Sequence, residues 1–198
     1  MEENVRQKSV SAASQTVPVL TTERLRLRPI QPGDAPAVLA IYSDRVALEY
    51  FARDPIDDLE EAAQMVAEGL AFEEDSGARL WAVCLADTDH LIGTFTLFHI
   101  SQKNRRAEVG YIFNREHWGK GYASEALKRM IEYCFVELDM GRLEADVDPD
   151  NRGSLVLLER NGFEREGYFR KRWFIRGQWY DSVMFGLLRP DLDDRGPG

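Results

Sequence analysis

A strand that runs into a Gly-Lys-Gly turn and then directly into a long amphipathic helix leaves this chain few folds to choose from. The strand is Glu108-Val-Gly-Tyr-Ile-Phe and the turn is Trp118-Gly-Lys-Gly-Tyr. From Tyr122 to Leu138 the apolar residues Ala123, Ala126, Leu127, Met130, Ile131, Cys134, Phe135 and Leu138 recur at helical spacing, so one stripe has to be buried. Arg142 to Val147 reads as a further strand. Asn151 then caps a helix that runs to Asn161 and stops at Gly162. Strand, helix, strand, helix is the pattern of a parallel crossover, which needs a sheet with helices packed on it.

The remaining segments add to that sheet. Leu25 and Leu27 alternate with Arg24, Arg26 and Arg28 in a half-buried strand ended by Pro29. Gly33-Asp34 opens a short helix carrying Ala37, Val38, Ala40 and Ile41. A second helix is expected with Asp57 as N-cap, Glu60 placed for a capping box, and a stripe of Leu59, Ala62, Ala63, Val66 and Leu70. Trp81 to Ala86, Leu91 to His99 and Arg106 to Phe113, separated by turn residues, predict an antiparallel meander. Phe163 to Ile175, a turn at Arg176-Gly177-Gln178 and a return through Val183 to Leu188 predict a hairpin. The fold class expected is α/β, with a central, mostly antiparallel mixed sheet flanked by helices.

Composition bounds the function. The chain has 198 residues and a formal net charge of -9, with 44% hydrophobic and 30% charged residues. A compact domain of that size hides roughly 70% of its unfolded surface. We expect a lead-in over residues 1–18, a single domain over 19–189 and an acidic tail over 190–198. An acidic field repels nucleic acid and disfavours an RNA-associated role. The longest apolar run, Leu80 to Ala86, is far below the roughly 18 residues that cross a bilayer. The first residues carry no apolar signal core, so no membrane partner and a cytoplasmic location are expected. Cys84 and Cys134 match no metal or redox spacing and read as packed thiols; with His90, His99 and His117 scattered, no metal is expected.

The chemistry concentrates at the turn. Gly119 and Gly121 let backbone approach a ligand closely, the unpaired amides of a first helical turn favour an anion, and Lys120 adds positive charge. Gly-Lys-Gly alone is equally compatible with a bare turn. Position 124 is Ser, so the dinucleotide fingerprint is absent, as is the phosphate-loop pattern ending Gly-Lys-Ser or Gly-Lys-Thr.

An ordered series of motifs is more specific: Thr22-Glu-Arg-Leu-Arg-Leu-Arg-Pro, Gly33-Asp34, Leu91-Ile-Gly-Thr, Glu108-Val-Gly-Tyr, Trp118-Gly-Lys-Gly-Tyr-Ala-Ser-Glu-Ala, Asp148-Pro-Asp-Asn-Arg-Gly-Ser, Glu159-Arg-Asn-Gly-Phe and Gly177-Gln-Trp-Tyr-Asp. Over nearly its whole length the chain resembles the GNAT acetyl-CoA-dependent N-acetyltransferases, and within them the ribosomal-protein N-terminal acetyltransferases of RimJ/RimL type and their small-molecule relatives. The resemblance implies a sheet splayed open beside the strand ending at Phe113, with acetyl-CoA in the cleft as cosubstrate. It implies backbone pairing of the pantetheine arm to Ile112 and Phe113. The turn His117, Trp118, Gly119, Lys120, Gly121, Tyr122 and Ala123 would hold the pyrophosphate, with Asn151 and Ser154 near the thioester.

Amine acetylation needs a base, a stabilised oxyanion and a thiolate that can leave. Glu108 is the candidate base; it also reads as a strand carboxylate paired with Arg105 or Arg106. Ser154 is the second catalytic candidate, for the thiolate, or simply a hydrogen bonder at a helix start. Many relatives carry a Tyr general acid where this chain has Leu158, and the superfamily's Gln or Arg before the first glycine is Glu116 here. His99 and His117 read as ordinary polar residues. Trp173, Phe174, Trp179, Tyr180 and Phe185 read as core and cross-strand pairs in preference to an acceptor pocket. Acceptor contacts are expected from Tyr50 to Asp57 and from the final hairpin. The expected acceptor is a protein or peptide N-terminal α-amine. Open alternatives are a small amine (a polyamine, amino acid or aminoglycoside) and a catalytically silent acyl-CoA-binding module, as monomer or homodimer.

Overall fold

The computed structural model describes residues 17–75 and 78–190. In chain order the elements are β1 (Leu20–Thr21), β2 (Leu25–Pro29), α1 (Ala35–Tyr42), α2 (Leu59–Asp75), β3 (Arg79–Leu85), β4 (Leu91–Ser101), β5 (Arg106–Phe113), α3 (Tyr122–Glu132), β6 (Arg142–Val147), α4 (Arg152–Arg160), β7 (Glu164–Ile175) and β8 (Gln178–Leu188). All eight strands form one sheet in the order β1-β2-β3-β4-β5-β6-β8-β7. Neighbours run antiparallel except β5 and β6, which are parallel and joined through α3. The GNAT fold expected from sequence is therefore present. The hairpin inserts β8 between β6 and the edge strand β7.

The central strands are buried on both faces, each face with its own core, while the edge strand β7 is exposed along most of its length. On one face α3 and α4 place Leu127, Met130 and Leu158 against Trp81, Phe95, Val109 and Phe185. On the other, α1 and α2 place Val38, Ile41, Ala62 and Val66 against Ala82, Cys84 and Ile112. Strand alternation assigns β5 to both: Ala107, Val109 and Phe113 join the first core, while Glu108 and Gly110 share the side of Ile112.

Several details depart from the sequence expectation. Val17 is 3% exposed and the Pro18 carbonyl accepts the Trp81 indole N–H at 2.9 Å, so the fold begins inside the stretch expected as a lead-in. Residues 1–16 and 191–198 lie outside the described residues. The cap of α2 is Asp58, one residue later than Asp57. The Asp58 carboxylate accepts the Glu61 amide at 2.9 Å, and Glu61 reaches back to the Asp57 amide at 2.8 Å. Just before this cap, Ile56 is buried and its amide donates to the Tyr42 carbonyl, anchoring the chain outside the helix. Leu59, Ala63 and Leu70 are exposed, and the buried stripe of α2 is Ala62, Val66 and Gly69. The long helix after the turn ends as a π turn over Tyr133–Glu137, which keeps Tyr133, Cys134 and Phe135 in the core. Arg28, which alternation would put in solvent, is 5% exposed and holds Asp34 through two bonds of 2.8 and 2.9 Å.

Candidate active site

β5 and β6 pair only from Arg106 opposite Arg142 to Glu108 opposite Glu144. Beyond Glu108 the two strands have no mutual partners, and the gap opens into a cavity of about 790 Å³. Its walls come from Glu108, Gly110, Tyr111 and Ile112 on β5, from Ala145 to Asp148 on and after β6, and from Asn151 and Ser154 at the start of α4. Tyr50, Phe51 and Ala52 from the α1–α2 connection, and Trp173 and Tyr180 from the hairpin, form the far side. The two regions expected to meet an acceptor are thus on one cavity. Arg176 at the hairpin tip pairs with Asp54 at 2.8 Å and donates to the Arg53 carbonyl, joining those regions across it.

The structure brings Glu108, Ile112, Asn151 and Ser154 together around this space. Phe113 and the residues from His117 to Ala123 lie outside its wall, along the continuation of the chain from β5. Asn114 caps the turn that follows, its side-chain oxygen accepting the Glu116 amide at 2.9 Å, and the Trp118 indole folds back to the Phe113 carbonyl at 2.8 Å. Gly119 and Gly121 have φ of +73° and +82°, a region that costs other residues about 1–2 kcal/mol. Gly121 is the N-cap of α3 and has no side chain to cover the amides of Tyr122, Ala123 and Ser124. A Cβ on Gly119 would meet nothing within 4 Å, so the turn stands open. Uncovered amides with a lysine beside them suit a diphosphate.

A further cation sits here that alternation along β2 did not single out. Arg24 lies 4.8 Å over the Tyr122 ring and donates to the Lys120 carbonyl at 3.0 Å. Glu125 holds it there, accepting from the Thr22 hydroxyl and from the Arg24 amide and guanidinium. His117 lies between His90 and Tyr122, and its Nδ1 is buried without a partner. Burial, then Lys120 and His90, lower its pKa, so it is a neutral ring at pH 7.

At the inner end, Glu108 pairs with neither Arg105 nor Arg106, which are taken by Asp139 and Glu144. Its partner is His99, whose Nδ1 lies 2.9 Å from the Glu108 carboxylate. The β4–β5 register slips between Phe98 and Ser101, and His99 takes a φ of +51° in that bulge. Bulges re-aim side chains in this way. The Glu108 side chain is 13% exposed and that of His99 is 68% exposed, so the pair links the cavity to water. From the opposite side of β5 comes Tyr111. Its hydroxyl is buried without a hydrogen-bond partner, and burial pushes its pKa up to about 12, an effect the neighbouring Ser154 side chain partly offsets.

The rim is acidic, and two of its carboxylates are held by hydrogen bonds from the hairpin. Asp146 accepts from the Ser182 hydroxyl and the Trp173 indole, and Asp181 from the Tyr168 hydroxyl and the Lys171 amide. Asp148 accepts only from the Asp150 amide, and its pKa is raised, chiefly by burial, with Asp150, Asp181 and Glu49 adding to the rise. Of the hairpin aromatics only Phe185 is core; Trp173, Phe174 and Trp179 are 42–61% exposed. They form cross-strand pairs, Trp173 opposite Tyr180 and Phe174 against Trp179 at 4.9 Å, on a hairpin whose outer strand is the sheet edge. Cys84 and Cys134 are buried, each raised to about 12 by desolvation, and behave as packed thiols.

The splayed parallel pair and the uncapped Gly-x-Gly helix start belong to a fold that comparison with known proteins identifies. Residues 24–164 match the family model described as an acetyltransferase (GNAT) domain, and the chain belongs to the GNAT N-acetyltransferases. The uncharacterized N-acetyltransferase p20 of Bacillus licheniformis is 37% identical over 86% of this chain and 96% of its own length. Among solved structures, a provisionally named ribosomal-protein-serine acetyltransferase from Vibrio cholerae superposes with a TM-score of 0.76 at 26% identity, covering 89% of this chain and all of that one. The spermidine N-acetyltransferase of Vibrio cholerae, in complex with CoA and spermine, superposes with a TM-score of 0.73 at 27% identity, covering 84% and 96%. Enzymes of this family use acetyl-CoA. No helix among the described residues is long and apolar enough to cross a membrane, and these residues contain no group of side chains that could hold a metal ion.

Proposed function

We propose that this N-acetyltransferase acetylates the α-amine of a protein or peptide N-terminus, with Glu108 as base. The observation that carries the reading is the Glu108–His99 pair, a carboxylate inside the splay joined at 2.9 Å to an imidazole in solvent. An acceptor arrives as an ammonium ion, which has no lone pair to attack with. Glu108 takes its proton, and His99 passes that proton to water.

Acetyl-CoA supplies the acetyl group on an activated thioester; the chain positions it. The amides of Tyr122, Ala123 and Ser124, with Lys120 and Arg24, hold the diphosphate, while His117, Trp118 and Gly119 shape the turn. The free edge of β5 beyond Glu108 offers the backbone of Ile112 and Phe113 to the pantetheine arm. Asn151 fixes the first turn of α4 by accepting the Ser154 amide at 3.1 Å, which holds Ser154 at the reacting end.

The choice of acceptor rests on how the rim carboxylates are used. A polyamine needs several uncommitted anions, whereas Asp146 and Asp181 are engaged by the hairpin. Of the cavity-lining carboxylates Glu108 and Asp148 remain, enough for one ammonium group, with the charges of Asp150 and Glu49 near Asp148 on its approach. A small polycationic amine is the second reading, favoured by the structural neighbour crystallised with spermine.

The test is CoA release from acetyl-CoA against N-terminal peptides, polyamines and aminoglycosides. Release with peptides above all others supports the first reading, and release with polyamines alone replaces it with the second. Binding of acetyl-CoA with no release on any acceptor would mean a silent binding module. Glu108→Gln is expected to lower kcat by roughly 10²-fold or more with acetyl-CoA affinity retained. A variant whose pH–rate profile matched the parent would remove Glu108 from the mechanism.

A further inference from the structure

Tyr111 has a buried hydroxyl that, among the described residues, makes no hydrogen bond of normal geometry; the Ser154 side chain beside it is the one polar neighbour that lowers its pKa. Buried hydroxyls are almost always satisfied, so an orphan at a cavity wall calls for an acceptor that arrives from outside. The Tyr111 ring is fixed by packing, 5.8 Å from the Phe95 ring and against the core under α3 and α4. Its hydroxyl lies beside the Ser154 side chain, and the residues Tyr111, Ser154 and Asn151 all contribute to the cavity wall.

Position along the strand gives the hydroxyl its place in the reaction. Glu108 and Tyr111 are three residues apart on β5 and so project to opposite faces. They do so where β5 has parted from β6. A thioester lying in that gap has the carboxylate, and therefore the incoming amine, on one side and the tyrosine on the other. The helix cannot provide a phenol there, because Leu158, one turn beyond Ser154, is fully buried in the core.

We propose that the Tyr111 hydroxyl, beside Ser154, is the hydrogen-bond donor that receives the departing sulfur of the acyl donor, which makes Tyr111 a catalytic residue of the reaction proposed above. The proposal rests on that reaction being acetyl transfer. The amine nitrogen forms the new C–N bond, the C–S bond breaks, and its electron pair stays on sulfur. The ammonium nitrogen loses two protons in all, and both leave through Glu108 and His99 to water. A phenol held at about 12 is a weaker acid than a thiol at roughly 8.5, so Tyr111 keeps its proton and stabilises the thiolate as a donor. The thiolate takes its own proton from water on release.

Tyr111→Phe removes a hydroxyl that makes no hydrogen bond of normal geometry in the resting protein, which separates catalysis from folding. We expect kcat to fall by about 10²-fold, the usual cost of one donor to developing charge. The thermal midpoint should be unchanged or higher, and calorimetric affinity for acetyl-CoA unchanged. Affinity for free CoA should weaken selectively above pH ~8.5, where the thiol ionises. In the Tyr111→Phe, Ser154→Ala double variant the losses should be less than multiplicative, because both act on one sulfur. Unchanged kcat in Tyr111→Phe overturns the proposal, and so does a fall in kcat that accompanies lower thermal stability and weaker acetyl-CoA binding. If the parent enzyme releases no CoA with any acceptor, acetyl transfer itself fails and this proposal falls with it. Turnover in the parent with an indifferent Tyr111→Phe leaves the acetyltransferase reading intact and rejects the tyrosine alone.

Discussion

Arg28 and Asp34 are two charges placed where alternation along β2 predicts one solvent-facing arginine. Both side chains are less than 10% exposed, and Asp34 also accepts the Gln31 amide at 2.8 Å. The Asp34 carboxylate holds the guanidinium firmly protonated. Removing one partner of a buried pair strands the other, so Asp34→Ala should cost about 3 kcal/mol, the lower end of the usual range because Asp89 still reaches Arg28. A urea midpoint that does not move would show the pair to be energetically idle. At this scale the cavity is lined by Glu108, Asn151 and Ser154, which the sequence singled out for roles in the reaction while leaving their partners open. No spacing rule links His99 to Glu108, because the link depends on a bulge in a neighbouring strand. Nothing local distinguishes Tyr111 from any half-buried strand tyrosine until Ser154 is placed beside it.

At the scale of elements, the Gly119–Gly121 turn is held by a contact between the corner before β2 and α3. Glu125, in the first turn of α3, accepts from the Thr22 hydroxyl and from the Arg24 amide and guanidinium, tying the β1–β2 corner to the helix start. Burial alone would raise the Glu125 pKa, but these donors outweigh it and the net shift is downward from 4.5. A depressed carboxylate stabilises the fold above its unfolded value and loses that contribution as pH falls through the folded value. Glu125→Gln should therefore be less stable than the parent at pH 7, by about 1–2 kcal/mol for the loss of charge-assisted bonds. The difference should shrink as pH falls below 4.5. Thermal unfolding of both proteins from pH 7 to pH 3 tests it, and a gap that stayed constant would rule out Glu125 as its source. The helix itself was legible, since its stripe is long and regular; its π-turn end was not, because the shift in winding is set by what Tyr133, Cys134 and Phe135 must reach in the core.

For the molecule as a whole, a net charge of -9 gathers cations towards a cavity lined by the carboxylates of Glu108, Asp146, Asp148 and Asp181. Acceptor capture should then be salt-sensitive. The KM for a basic peptide is expected to rise between low salt and 0.3 M, beyond a Debye length of roughly 10 Å at 0.1 M, while that for an uncharged-side-chain peptide rises much less. Equal salt dependence for both would assign capture to local contacts alone. The sequence by itself determined the element order, the meander, the crossover through α3 and the Gly119–Gly121 helix start, since hydrophobic period, turn residues and positive-φ glycines act over a few neighbouring positions. Only the tertiary structure decided where β5 leaves β6, which carboxylates remain uncommitted, and which groups meet across the gap. Those depend on the register of strands far apart in the chain, and on hydrogen bonds that partners make only after the sheet has brought them within about 3 Å.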